Sequence, residues 1–276
     1  MIAQRSCGGS FQSRNVSAQE SSRPDTFPSC VTVLPAMFPK QRPPLPAPYR
    51  AIYAEHYRRN REGLGLASSI SQKMESWMHR KVASDSCENV TTLEIGAGNL
   101  NHLPYEPMSS TYDVVEELPD LCTNSPNRGK VRQLYASLFD ISGITYDRIV
   151  SIAAFEHICN LPAVVARCGL LLSPGGRLRV AIPSEGTVPW KAAWALSTGI
   201  AFWLRYGLPY GVLMRHEHVN TADEVSTVLQ SFFAETQRTV FGLRPALSLY
   251  QFFECRNPIL AECRRSSIAP DTPAGV

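Results

Sequence analysis

Short apolar runs alternate with segments of helical spacing along most of the chain. Val90 to Ile95 has strand length and runs directly into Gly96 and Gly98. Further strands are predicted from Thr111 to Glu116, Val131 to Ala136 and Arg148 to Ile152, and after the Pro174-Gly175-Gly176 turn as far as Pro183. Leu161 to Leu172 carries apolar residues at helical spacing between the last two. Ala222 to Phe233 predicts another helix, opened by a capping box of Thr221 and Glu224. Thr236 to Leu243 and Leu247 to Cys255 predict a closing antiparallel hairpin. Upstream, Tyr49 to Glu62 and Ser68 to Ala83 have one apolar face each, the second built from Ile70, Met74, Trp77 and Met78. His79 and Arg80 fall at its C-terminal part, where cations favour the helix dipole; a carboxylate-binding role is the alternative.

The turn after the first strand carries the most specific chemistry. It reads LEIGAGNLNHL, and its glycines supply positive φ and let a ligand lie against the backbone. A helix is expected to follow, with its free N–H groups facing that ligand. A nicotinamide fingerprint needs a third glycine where Asn101 stands, so that reading fails at its most discriminating position. Glu94, two residues before Gly96, suits the ammonium of the methionine part of S-adenosylmethionine. About twenty residues on, Glu116 is placed to accept from ribose hydroxyls, with the neighbouring Glu117 as a second candidate.

These residues, with YDRIVSIAAFEHI at 146–158 and GLLLSPGGRLRVAIP at 169–183, resemble the class I S-adenosylmethionine-dependent methyltransferases. The resemblance is continuous from about Ile70 to Asn257. It departs from the commonest motif at Leu100, where another glycine is usual. It implies a Rossmann-like α/β fold: a mostly parallel seven-stranded sheet, helices on both faces, N-terminal helices and a helical insertion after the fifth strand. It also implies S-adenosylmethionine as cofactor, held by Glu94, Gly96, Gly98, Glu116 and Asp140. A narrower similarity, to bacterial methyltransferase-like proteins sharing ESWMHRKVA and RHEHVNT, implies a sugar or glycan-precursor acceptor.

Composition bounds the rest. A net charge of +3 without a Lys/Arg block argues against a nucleic-acid substrate. No span reaches transmembrane length. The eight cysteines form no C-x-x-C pair, which points to reduced thiols in a cytoplasmic enzyme rather than to zinc or disulfides. Eight of the 21 prolines precede residue 50, so residues 1–47 read as a disordered Pro/Ser-rich tail. The enzyme domain is then 48–258, and 259–276 a flexible tail.

The acceptor side is expected in the insertion, about 187–215, which carries Trp190, Trp194, Phe202, Trp203, Tyr206 and Tyr210. It is either a helical roof over the substrate pocket or an interfacial helix at a membrane surface. A hydroxyl acceptor needs a base, and His157, His216 and His218 are the candidates, with Glu156 available to orient one of them. His216 and His218 share one face if MRHEHVNTAD is extended. A metal there would need further ligands supplied by the fold, so no metal site is expected. The competing function is a non-catalytic module of the same fold that docks to a membrane or a glycan-assembly partner through the aromatic insertion.

Overall fold

The computed structural model describes residues 37–53, 69–107 and 111–267. The strands are β1 (Thr91–Ile95), β2 (Thr111–Val115), β3 (Gln133–Tyr135), β4 (Tyr146–Ile152), β5 (Leu172–Pro183), β6 (Phe233–Gly242) and β7 (Ser248–Pro258). They form one sheet in the order β3-β2-β1-β4-β5-β7-β6. The first five are mutually parallel, and β7 runs antiparallel to both β5 and β6. After β3 the chain crosses back over the sheet to lay β4 beside β1, so the strand order reverses between β1 and β4. A crevice opens beyond the carboxyl ends of strands at such a switch point.

Period-2 alternation assigns the two faces. Leu93, Ile95, Ile149, Val180 and Ile182 point into the larger core, closed by the helices α3 (Leu161–Leu171) and α7 (Ala222–Phe232). Val150 and Ala181 point the other way and pack with Met78 and Val82 of α1 (Ser69–Ala83) and with Tyr250 and Phe252. Glu94 is in register with Val150, so its side chain lies on the α1 face.

Two buried arginines fasten α1 to that face. Arg148 donates to Glu106 at 2.8 and 3.1 Å and to the Val82 carbonyl at 3.1 Å. Arg179, one strand over, donates to the carbonyls of Val82 and Lys81 at 3.0 and 2.7 Å. Both approach Asp85, at 3.2 and 3.1 Å. The C-terminal carbonyls of α1, which no helical N–H can satisfy, are thereby capped from the sheet. Burial alone would raise Glu106; hydrogen bonds from His102 and Arg148 outweigh it and hold the carboxyl at about 2.

Several expectations are corrected. No α-helix follows the glycine turn: the chain makes a tight turn and then one 3-10 turn at Leu103–Tyr105. Leu100 has φ +64°, which no α-helix accommodates, and Pro104 offers no backbone N–H. The anion-binding argument from a following helix therefore falls. Leu100 stands where glycine is usual and takes the left-handed conformation itself. That costs an L-residue roughly 1–2 kcal/mol. Its fully buried side chain, packed with Leu103, Tyr112 and Val114, offsets this by roughly 1.5–3 kcal/mol.

The N-terminal segment is also not uniformly disordered. Phe38 and Leu45 are buried, and the segment is strapped across the sheet end by charged side chains. Lys40 Nζ reaches Glu224 at 2.6 Å and the Val219 carbonyl at 2.9 Å. Arg42 donates to the carbonyls of His157, His216 and Glu217 at 2.9, 3.2 and 3.2 Å. At the other end, Leu260–Ser266 forms α8 rather than a flexible tail, because Cys263 is buried against the large core. Residues 1–36, the proposed helix beyond residue 53 and the tail from 268 lie outside the described residues.

The insertion is helical apart from a short turn at residues 207–210. It runs as α4 (Val188–Trp194), a π-turn (Ala195–Gly199) and α5 (Ile200–Tyr206), followed by α6 (Gly211–Glu217). Phe202 and Leu213 pack on Leu45 and Tyr49, so the insertion and the N-terminal segment form one satellite core. Among the described residues, no helix is long and apolar enough to cross a membrane.

Candidate active site

The crevice at the switch point is a cleft of about 360 Å³. One wall is the glycine turn, with Gly96 at φ +71° and Gly98 at φ +53°. A Cβ on Gly96 would sit 2.5 Å from the Ala154 Cβ, so the turn can lie this close to the end of β4 only without a side chain. Ala153, also in the cleft wall, is held at φ +51°. Such strain persists only where the surrounding structure over-determines the backbone.

Glu94 faces the cleft while only 2% exposed. Burial raises its carboxyl to about 8, against a lowering contribution from the Tyr112 hydroxyl, which donates to it at 3.0 Å. Nearby Glu106 and Glu116 push in the same direction as burial. An opposite charge brought against such a carboxyl would favour its ionised form. Glu116 directly follows β2 and accepts from the Gly98 N–H at 2.7 Å and the Leu118 N–H at 3.1 Å, so it sets the shape of the glycine turn. Asp140 ends a 3-10 turn and is exposed; neither it nor Glu116 borders the cleft, while the other three proposed cofactor residues do.

Glu156, His157 and His218 also line the cleft. His157 stands in a 3-10 turn after β4, and its Nδ1 donates to the Glu217 carbonyl at 2.9 Å. His218 caps α6; its Nδ1 bonds Glu185 Oε2 at 2.8 Å, and the same oxygen accepts from Trp190 Nε1 at 2.7 Å. The two imidazoles meet edge to face, with centroids 4.8 Å apart. Burial works against charging His218, but the Glu185 hydrogen bond, with Glu156 and Glu217 nearby, raises its pKa overall.

His216 is not part of this group. The segment is helical, so residues two apart point to different sides. Its Nδ1 donates to the Pro43 carbonyl at 2.7 Å instead. His79, placed by sequence at a helix end, turns into the cleft, 3.2 Å from the Nδ1 of His102. Burial, then the neighbouring His102, lowers it to about 4 and keeps it neutral. Glu185 was missed as a site residue. Its position just after the fifth strand was the one available signal; its partner lies 33 residues away.

The parallel order 3-2-1-4-5 extended by an antiparallel 7-6 pair decides the architecture. The fold is that of the class I methyltransferases. No family model matches the chain, and no curated protein matches it. Solved structures of methyltransferases do share this fold. The N-methyltransferase NodS from Bradyrhizobium japonicum, solved with S-adenosyl-L-homocysteine, is similar at TM-score 0.51 and 17% identity over 77% of this chain and 100% of that one. An O-methyltransferase family protein from Burkholderia thailandensis is similar at TM-score 0.51 and 14% identity, over 83% of this chain and 68% of that one. The CurJ carbon methyltransferase gives TM-score 0.50 and 17% identity over 76% and 61%. In the methyltransferase fold of this chain, the glycine turn and the Glu156–His157 wall stand at the carboxyl ends of neighbouring strands, β1 and β4.

Proposed function

We propose that the chain is an S-adenosylmethionine-dependent methyltransferase acting on a hydroxyl or amine of a small-molecule or glycan acceptor. One observation carries this reading: a buried carboxyl beside a glycine turn faces two oriented imidazoles across a single cleft. The residues present fit the cofactor. Glu94, neutral for want of a cation, matches its ammonium, and the turn from Gly96 to Gly98 accommodates close backbone approach. Glu116 is the ribose candidate once released from the Gly98 N–H, and Asp140 the adenine candidate. The bound cofactor supplies an electrophilic methyl group on sulfur.

The protein's own part is alignment and proton handling. His218, with Nδ1–H directed to Glu185, presents Nε2 as the proton acceptor. The proton displaced from an acceptor hydroxyl on methylation would pass to that nitrogen. His157, fixed by the Glu217 carbonyl, lines the same wall. Calorimetric titration with S-adenosylmethionine tests the reading: saturable binding is expected, and no heat of binding at millimolar cofactor overturns it.

A second surface supports a further role in placement. Leu196, Ile200, Trp203 and Leu204 are 73, 48, 58 and 72% exposed and recur along one side of the helical run 188–206. With Lys191 and Arg205 in the same run, this face suits peripheral contact with an anionic membrane surface. Cosedimentation with vesicles containing anionic lipid tests it, and equal recovery in the supernatant with and without vesicles refutes it.

A further inference from the structure

We infer that Glu156, His157 and His218 form a binding site for a divalent first-row transition-metal cation, of which Zn²⁺ is the model, at the acceptor wall of the cleft. One donor atom of each residue lies within 4.8 Å of those of the other two. His157 Nε2 is 3.8 Å from Glu156 Oε1. Tetrahedral zinc with bonds of 2.0–2.2 Å separates its ligands by roughly 3.3 Å, so the three donors need to close by no more than about 1.5 Å. All three side chains line the cleft, and Glu156 is 1% exposed, so the ion would be desolvated on the protein side and open to the cleft on the other.

The surroundings are those a ligand set requires. A metal-binding imidazole ordinarily gives its second N–H to a carbonyl or carboxylate, which fixes the tautomer and the ring plane. Both histidines do so here: His157 Nδ1 to the Glu217 carbonyl, His218 Nδ1 to the Glu185 carboxylate. In each neutral ring the lone pair therefore belongs to Nε2. Glu185 is itself held by the Trp190 indole, and the carbonyls of His157 and Glu217 by Arg42. These contacts build up the walls on both sides of the candidate ligands. Two imidazoles and one carboxylate suit zinc, cobalt or iron, whereas magnesium and calcium prefer oxygen alone.

Three protein ligands leave a coordination position directed to the cleft, where an acceptor oxygen can bind. There the ion would lower the hydroxyl's pKa, and its proton would leave to solvent rather than to His218. That role rests on the methyltransferase reading; the binding of the ion does not.

The test is titration of chelator-stripped full-length protein with Co²⁺, read by its visible d–d absorption, and with Zn²⁺ by calorimetry. One ion per chain is expected. His157→Ala and His218→Ala should each weaken binding at least 30-fold, and Glu185→Gln by about 10- to 100-fold through loss of the imidazole's anchor. His216→Ala should leave binding unchanged. Circular dichroism and cofactor titration on the same variants separate a lost site from a lost fold. No binding at millimolar metal, or equal binding by wild type and both histidine variants, overturns the inference. Metal binding without cofactor binding would retain this site and remove the methyltransferase reading; cofactor binding without metal would do the reverse.

Discussion

Glu94 offers a sharp test of the proposal that the cleft binds S-adenosylmethionine. Its carboxyl is raised to about 8 by burial, so below that pH it is neutral while the cleft is empty. An ammonium brought against it favours the charged form and returns the pKa toward the ordinary 4.5. Binding must then expel a proton at any pH between those two values. The sign follows directly: cofactor affinity rises with pH, by about tenfold per unit, until the carboxyl is ionised without help near pH 8. At pH 6.5, calorimetry in buffers of different ionisation enthalpy should report release of close to one proton per cofactor bound. Glu94→Gln keeps the shape and the Tyr112 contact but removes the charge. A charge-assisted hydrogen bond contributes about 1.5–3 kcal/mol, so the dissociation constant should rise roughly 10- to 150-fold. The pH dependence and the proton release should vanish with it. Affinity independent of pH from 5.5 to 7.5, or proton release undiminished in Glu94→Gln, would refute the assignment.

Other perturbations follow from the same geometry. Gly96→Ala should abolish cofactor binding in titration while the protein remains folded by circular dichroism, because its Cβ would meet Ala154 at 2.5 Å. Glu106→Gln should lower the unfolding free energy in urea by about 3 kcal/mol, since it strips the buried Arg148 of its main counter-charge. Glu106 titrates lower folded than unfolded, so its contribution is fully present above about pH 4.5 and is lost as pH falls toward 2; urea midpoints measured down that range should decline accordingly. Trp203→Glu with Leu204→Glu should abolish cosedimentation with anionic vesicles and leave cofactor affinity unaltered, because both residues are exposed and neither lines the cleft.

What the sequence displayed and what it concealed divide by distance along the chain. The glycine turn and the capping box of α7 are local patterns whose geometry is set within a few residues, and each stands where its spacing placed it; Glu116 does follow β2, but it reaches 18 residues back to the Gly98 N–H rather than into the cleft. The His218–Glu185–Trp190 arrangement depends on a helical insertion folding back, which no local pattern encodes. His216 and His218 would share a face were RHEHVN extended, but nothing in that polar run decides between strand and helix; Leu213 and Met214 bury one side of a helix there, and that separates His216 from His218. Residues 38–46 misled by composition. Four prolines rule out a helix or an inner strand, but the segment is held by the side chains of Lys40 and Arg42, whose partners lie more than 110 residues away.

Leu100 bears on the thermodynamics of ligand capture. A glycine at that position would leave the turn many conformers to lose when a ligand arrives. A leucine whose side chain is sunk among Leu103, Tyr112 and Val114 has surrendered that freedom already, during folding. The entropic charge of ordering the turn is thus transferred from the binding step to the folding step, and an incoming ligand would meet a preformed cradle. The residue that departs from the usual motif is the one that makes the turn rigid.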